Sequence, residues 1–172
     1  HSGLLTLLLA HGFRGKIYCT EGTAELLLVL LKDACFLYLK DLEWQNRQLA
    51  RQGKKLLDPV MGIQDVEQVL DYCHPIGYKQ KTTVCEGLEL EFLDAGHILG
   101  SAIVQLWLKG NKAMRKLVFS GDLGNPATVL MHDPTDIGQA DIVLMESTYG
   151  NRNHQNIDNS LDEMAQALEQ AN

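Results

Sequence analysis

At 172 residues, 45% hydrophobic and 22% charged, the chain can bury one sizeable core, and its composition excludes global disorder. Fifteen Lys and Arg against 22 Asp and Glu leave a net charge of −7, so a basic face for gripping phosphates is not expected in this segment; were the substrate a nucleic acid, the positive surface would have to come from elsewhere in a parent chain. The apolar stretches 4–10 and 26–31 are too short to span a bilayer, and Cys19, Cys35, Cys73 and Cys85 lack C-x-x-C spacing, which reads as free thiols in a reducing cytoplasm.

Residues 2–11 read as a short helix capped by Ser2, filled with leucines and stopped by Gly12. A β-like run follows at 16–20. The row 23–34 predicts a helix that is apolar nearly all round and therefore buried. A second, amphipathic helix is expected at 36–52, ended by Gly53-Lys54-Lys55. After a turn marked by Asp58-Pro59 and Gly62, residues 65–73 carry Val66, Val69 and Leu70 at helical spacing, and His74-Pro75 closes that helix.

From there the period changes. Leu88, Leu90 and Phe92 alternate with Glu89 and Glu91, the pattern of a half-buried strand. Further strands are expected at 102–109, 117–119 and 141–145, with a polar turn at Gly110-Asn111-Lys112. Ser160 and Glu163 form a capping box that opens a last helix. Helices, then a sheet, then a helix make one α/β layer system.

Three polar signatures fall at strand ends: 94–97 with Gly100-Ser101, Ser120-Gly121-Asp122-Leu123-Gly124, and Glu146-Ser147-Thr148-Tyr149-Gly150. Short connections make the strands at 88–93, 102–109 and 117–120 antiparallel neighbours. The ends of the first and third then share a sheet edge, which brings His97 near Asp122 across 25 residues of sequence. An imidazole and a carboxylate converging there make a plausible partial metal site. Each signature alone is an ordinary polar turn; their convergence is the signal.

With these residues assembled, the chain resembles the metallo-β-lactamase superfamily, and within it the β-CASP branch of RNA- and DNA-processing nucleases, of the type of the messenger-RNA 3′-end cleavage factor. His1-Ser2-Gly3-Leu4 matches the tail of the signature H-x-H-x-D-H-S-G-L. His97 in Asp94-Ala95-Gly96-His97 matches the next histidine motif, Asp122 the aspartate that bridges two metals, and Glu146-Ser147-Thr148-Tyr149 the acidic motif of the β-CASP nucleases.

The resemblance implies an α/β fold that is part of a metallo-β-lactamase αββα sandwich. Residues 1–172 are then expected to be a fragment of one such domain, ending at the start of the β-CASP insertion, incomplete and inactive alone. It further implies two zinc ions held in part by His1, His97 and Asp122, with a shared hydroxide attacking a phosphodiester. Asp122 and Glu146 are the implied catalytic carboxylates, Glu146 holding a histidine from a later segment, while Asp94 is a candidate partner for a metal ligand. Tyr149, Arg152 and His154 are candidate contacts for single-stranded RNA, favoured over DNA, and the resemblance leaves room for a homodimer or for processing-complex subunits. Two other readings stand beside it: a thioester or lactam hydrolase of the same fold, which leaves Glu146-Ser147-Thr148-Tyr149 unexplained, and a non-catalytic RNA-binding scaffold.

Overall fold

The computed structural model describes residues 3–110, 113–126, 130–148, 150–151 and 157–170. In chain order these form α1 (Leu4–Ala10), β1 (Ile17–Thr20), α2 (Glu21–Arg51), α3 (Ile63–Asp71), β2 (Cys73–Ile76), β3 (Thr82–Cys85), β4 (Leu88–Asp94), β5 (Ala102–Lys109), β6 (Met114–Phe119), β7 (Ile142–Leu144) and α4 (Ile157–Gln170). The architecture is mixed α/β, as expected. No helix among the described residues is long and apolar enough to cross a membrane.

The two helices expected at 23–34 and 36–52 are one helix of 31 residues. No glycine or proline interrupts residues 23–52, so nothing at Cys35-Phe36 stops the hydrogen-bond ladder. Thr20 caps the start, its hydroxyl accepting from Thr23 N at 3.1 Å. Gly53, at φ +65°, ends the helix, and Lys54 N donates back to Leu49 O at 3.0 Å.

Nor is the first half of α2 buried all round. Leu27, Leu31 and Cys35, at i, i+4 and i+8, are buried against Leu9 of α1 and Val66 and Val69 of α3, while Val29 and Leu30 face outward. Each fully buried Leu or Val on that stripe contributes about 1.5–3 kcal/mol.

Beneath the helices, β1 and β2 form a parallel pair, with Cys19 opposite Pro75. His74-Pro75 does not simply close α3, as the sequence suggested. It enters β2, which lies at a sheet edge where a missing proline N–H is tolerated. The larger sheet has the order β3-β4-β5-β6-β7, antiparallel except for the parallel β6–β7 pair. β3 was not foreseen, because Thr82–Cys85 is too short to show a period.

A second core forms where Tyr18 and Ile76 of the small sheet meet Leu90, Phe92, Val104 and Leu106 of the large one. The opposite face buries Leu93, Ala95, Ile103 and Val118 under Leu123, Ile137 and Ala140 of the β6–β7 crossover. Helices, sheet, sheet and a covering crossover are thus stacked in layers. The last helix begins at Ile157, so Ser160 lies within it and is not its cap. Asn111 and Lys112 of the expected turn lie outside the described residues.

Candidate active site

The functional edge is built on the β4–β5 turn, residues 95–101. Gly96 at φ +65° and Gly100 at φ +79° adopt left-handed backbone that a side chain would strain. Asp94 Oδ1 accepts from Gly96 N at 2.8 Å, and Ser101 Oγ accepts from His97 N at 3.1 Å and Ile98 N at 3.2 Å. These bonds satisfy the inner backbone donors and leave the His97 side chain exposed at the rim.

The Asp122 loop locks onto that turn. Gly124 N donates to Ala95 O at 2.8 Å. A Cβ on Gly124 would lie 1.8 Å from Gly96 O, so the two backbones approach as closely as only glycine permits. The third signature closes the group. Ser120 N donates to Leu144 O at 2.9 Å, Ser120 Oγ accepts from Glu146 N at 3.0 Å, and Glu146 Oε1 accepts from Leu123 N at 2.5 Å.

The Leu123 amide and then the Thr148 hydroxyl hold the Glu146 carboxyl below the ordinary carboxylate range, and the charge of nearby His97 lowers it further. A depressed folded value means that this group adds stability above the unfolded carboxylate pKa, and that the contribution is lost as pH falls through the folded value.

His97 and Asp122 line one cleft of about 380 Å³ between the sheet edge and the start of α2, with Tyr18, Thr20, Leu26 and Phe92 on its other walls. The α2 wall is tied in by Thr20 and Thr23, whose hydroxyls both donate to Gly100 O, at 2.8 and 2.9 Å. Tyr78 Oη donates to Ser101 O at 2.8 Å, and burial, with the charge of Asp94, pushes its phenol above the usual tyrosine value. Neither the threonines nor Tyr78 was singled out in the sequence. The only available signal was Thr20 standing three residues before Thr23 at the end of a strand, the spacing of an N-cap.

Of the site residues expected from sequence, His97, Asp122 and Glu146 are brought together. His1, Tyr149, Arg152 and His154 lie outside the described residues. Asp94 turns its carboxylate to its own loop and to His132, whose Nδ1 is 3.4 Å from Asp94 Oδ2. His132 was also missed in sequence, since it lies 38 residues on in a crossover without periodicity.

Among the described residues no three His, Cys, Asp or Glu side chains converge as a group that could hold a metal ion. The donor types nevertheless fit zinc: one exposed imidazole and one exposed carboxylate at the mouth of the same cleft supply two ligands of a mixed N/O set.

No protein-family model matches the chain. Curated relatives do. Ribonuclease TTHA0252 of Thermus thermophilus is 34% identical over 169 residues, which is 98% of this chain and 34% of that protein. Transcription termination factor FttA of Methanosarcina mazei is 33% identical over 155 residues, 89% of this chain and 22% of the relative. The RNase J-like protein of Methanocaldococcus jannaschii is 30% identical over 137 residues, 78% of this chain and 27% of the relative. The chain thus spans about a third or less of the length of the relatives it matches.

Proposed function

Because the chain belongs to the β-CASP nucleases of the metallo-β-lactamase superfamily, we propose that it supplies part of the active face of a zinc-dependent ribonuclease that hydrolyses single-stranded RNA. The observation that carries this reading is the interlocking of three signatures at one sheet edge: Gly124 against Gly96, and Glu146 on Leu123 N. In this reading residues 1–172 are part of one metallo-β-lactamase-like domain, and the protein works in the cytoplasm. The preference for RNA over DNA rests on the relatives that are named ribonucleases.

His97 and Asp122, with His1, would hold two zinc ions. Bound zinc would supply a hydroxide at neutral pH and positive charge for the phosphate. The protein's own residues fix the geometry. Ser101 holds the His97 backbone, and the Gly96–Gly124 contact fixes the spacing of the two ligand loops.

Glu146 stays anionic, held by Leu123 N and by Thr148. A carboxylate has about four lone-pair sites, so room remains on Glu146 to accept one further N–H. That acceptor is suited to orient a histidine from a later segment, which would protonate the leaving oxygen. Tyr149, Arg152 and His154 follow within eight residues of Glu146 and are assigned to phosphate or base contacts.

The test is cleavage of end-labelled single-stranded RNA by the full-length protein with zinc, beside His97→Ala and Asp122→Ala. Both variants should lose roughly two to three orders of magnitude in rate, the scale of removing a group that acts on the transition state. Wild-type cleavage that persists in both variants sinks the assignment. An intact, zinc-loaded protein that leaves RNA untouched sinks the ribonuclease reading.

A further inference from the structure

The exposed stripe on the distal half of α2 has no place in the site just described. Lys40, Trp44, Arg47 and Arg51 follow one another at i, i+4, i+7 and i+11, which places them within a narrow sector of the helix. All four are exposed, with Trp44 at 63%.

The helix has another face for its own chain. Residues 52–60 fold back along it, where Asn46 exchanges two 2.8 Å bonds with the Leu57 backbone and Tyr38 Oη accepts from Val60 N at 2.9 Å. Those contacts lie on the side opposite the stripe.

The local charge contradicts the chain average. Residues 40–55 hold five of the 15 Lys and Arg, namely Lys40, Arg47, Arg51, Lys54 and Lys55, against Asp41 and Glu43 alone. Glu43 pairs with Arg47 and tempers one of the five. A basic surface therefore does exist in this segment; the acidic total of −7 concealed it.

An exposed indole flanked by cations along one line suits a single-stranded nucleic acid, whose phosphates need positive charge and whose bases stack on aromatic faces. An apolar helical seam, by contrast, would place its charges at the flanks and not between its anchors. The side chains of the active edge itself include the carboxylates of Asp122 and Glu146, so a basic surface elsewhere adds attraction for a polyanion beyond what bound zinc would supply.

We propose that the distal half of α2, centred on Trp44 with Lys40, Arg47, Arg51, Lys54 and Lys55, is a remote contact surface for single-stranded RNA. This rests on the ribonuclease reading above and deepens it to a substrate-length requirement. The helix starts at the wall of the active cleft, through Thr20 and Thr23, and a rise of ~1.5 Å per residue puts Trp44, at the centre of the patch, about 35 Å away. A strand with bases ~3.4 Å apart needs about 10 nucleotides to reach from one to the other. A long RNA touches both places; a hexamer touches one.

The experiment uses the full-length protein with Asp122→Ala to prevent turnover, and anisotropy of fluorescein-labelled 30-nucleotide and 6-nucleotide RNAs. Trp44→Ala is expected to weaken 30-mer binding roughly 5- to 150-fold, the range for loss of one stacked base. The triple variant Lys40→Gln, Arg47→Gln, Arg51→Gln should weaken it as well, and should reduce the slope of log K against log salt by about 2. Hexamer binding should fall less than 30-mer binding in both variants, because a hexamer can sit at the active edge alone.

Unchanged 30-mer affinity in both variants overturns the proposal. So does equal loss for 30-mer and hexamer, which marks general damage. Conversion of a wild-type dimer to a monomer with RNA affinity intact assigns the stripe to a second copy and also overturns it. Should the protein without Asp122→Ala fail to cleave RNA while these selective losses remain, the catalytic reading falls and the contact surface stands.

Discussion

The two ends of α2 obey opposite rules. At its N-terminal end, loops from three parts of the chain meet through backbone hydrogen bonds and through a glycine contact that leaves no room for one carbon atom. At its C-terminal end, side chains stand in solvent, and the neighbouring segment is attached through Asn46 and Tyr38. A site that positions reacting atoms needs errors well under an ångström, whereas a surface that attracts a polyanion works through charge that falls off over about 8–10 Å. The contrast says where the molecule tolerates change.

Substitution can sharpen that contrast. The largest effect is expected from Gly124→Ala, since its Cβ would collide with Gly96 O and sit 2.8 Å from His97 N. A loss of about 3 kcal/mol or more in urea unfolding is expected; a loss below about 1 kcal/mol would show that the two loops separate easily and that the rim is not rigid. Thr20→Val comes next. It removes the hydroxyl that caps α2 and donates to Gly100 O, for an expected cost of about 1–3 kcal/mol by the same measurement. Full stability in that variant would detach the α2 wall from the site. The smallest effect is expected at the far end, where Trp44→Ala should change stability by no more than about 0.5 kcal/mol. A larger loss there would mean that the indole packs structurally, and the comparison would collapse.

How legible the molecule was depended on how local its determinants are. β4 was readable because Leu88, Leu90 and Phe92 alternate with Glu89 and Glu91 on a half-buried sheet, which leaves a strong period. The joint position of His97 and Asp122 was readable because two short connections dictate antiparallel neighbours. The single α2 reads in sequence as two helices, because the pattern changes from apolar to amphipathic at Cys35-Phe36 although no breaker stands there. β2 was hidden by Pro75, whose effect on a helix is local but whose tolerance at a sheet edge depends on the fold. The support from Thr20, Tyr78 and His132 was invisible for a related reason. Each reaches the 94–101 turn across 23 to 80 residues of sequence or through an aperiodic crossover, and single-sequence patterns carry no information about such pairings.

The bond between Thr20 and Gly100 spans 80 residues, and the β1–β2 pair encloses all of α2 and α3. By contrast, the β4–β5–β6 meander joins neighbours along the chain. Loop closure over long separations is slow relative to local pairing, so the order of assembly follows from this topology. The meander can bring the His97 and Asp122 loops together early, while the wall carrying Thr20 and Thr23 arrives late. A chain caught between those events would already hold His97 beside Asp122 but would have no cleft around them, and its two halves would be assembled at different times by different kinds of contact.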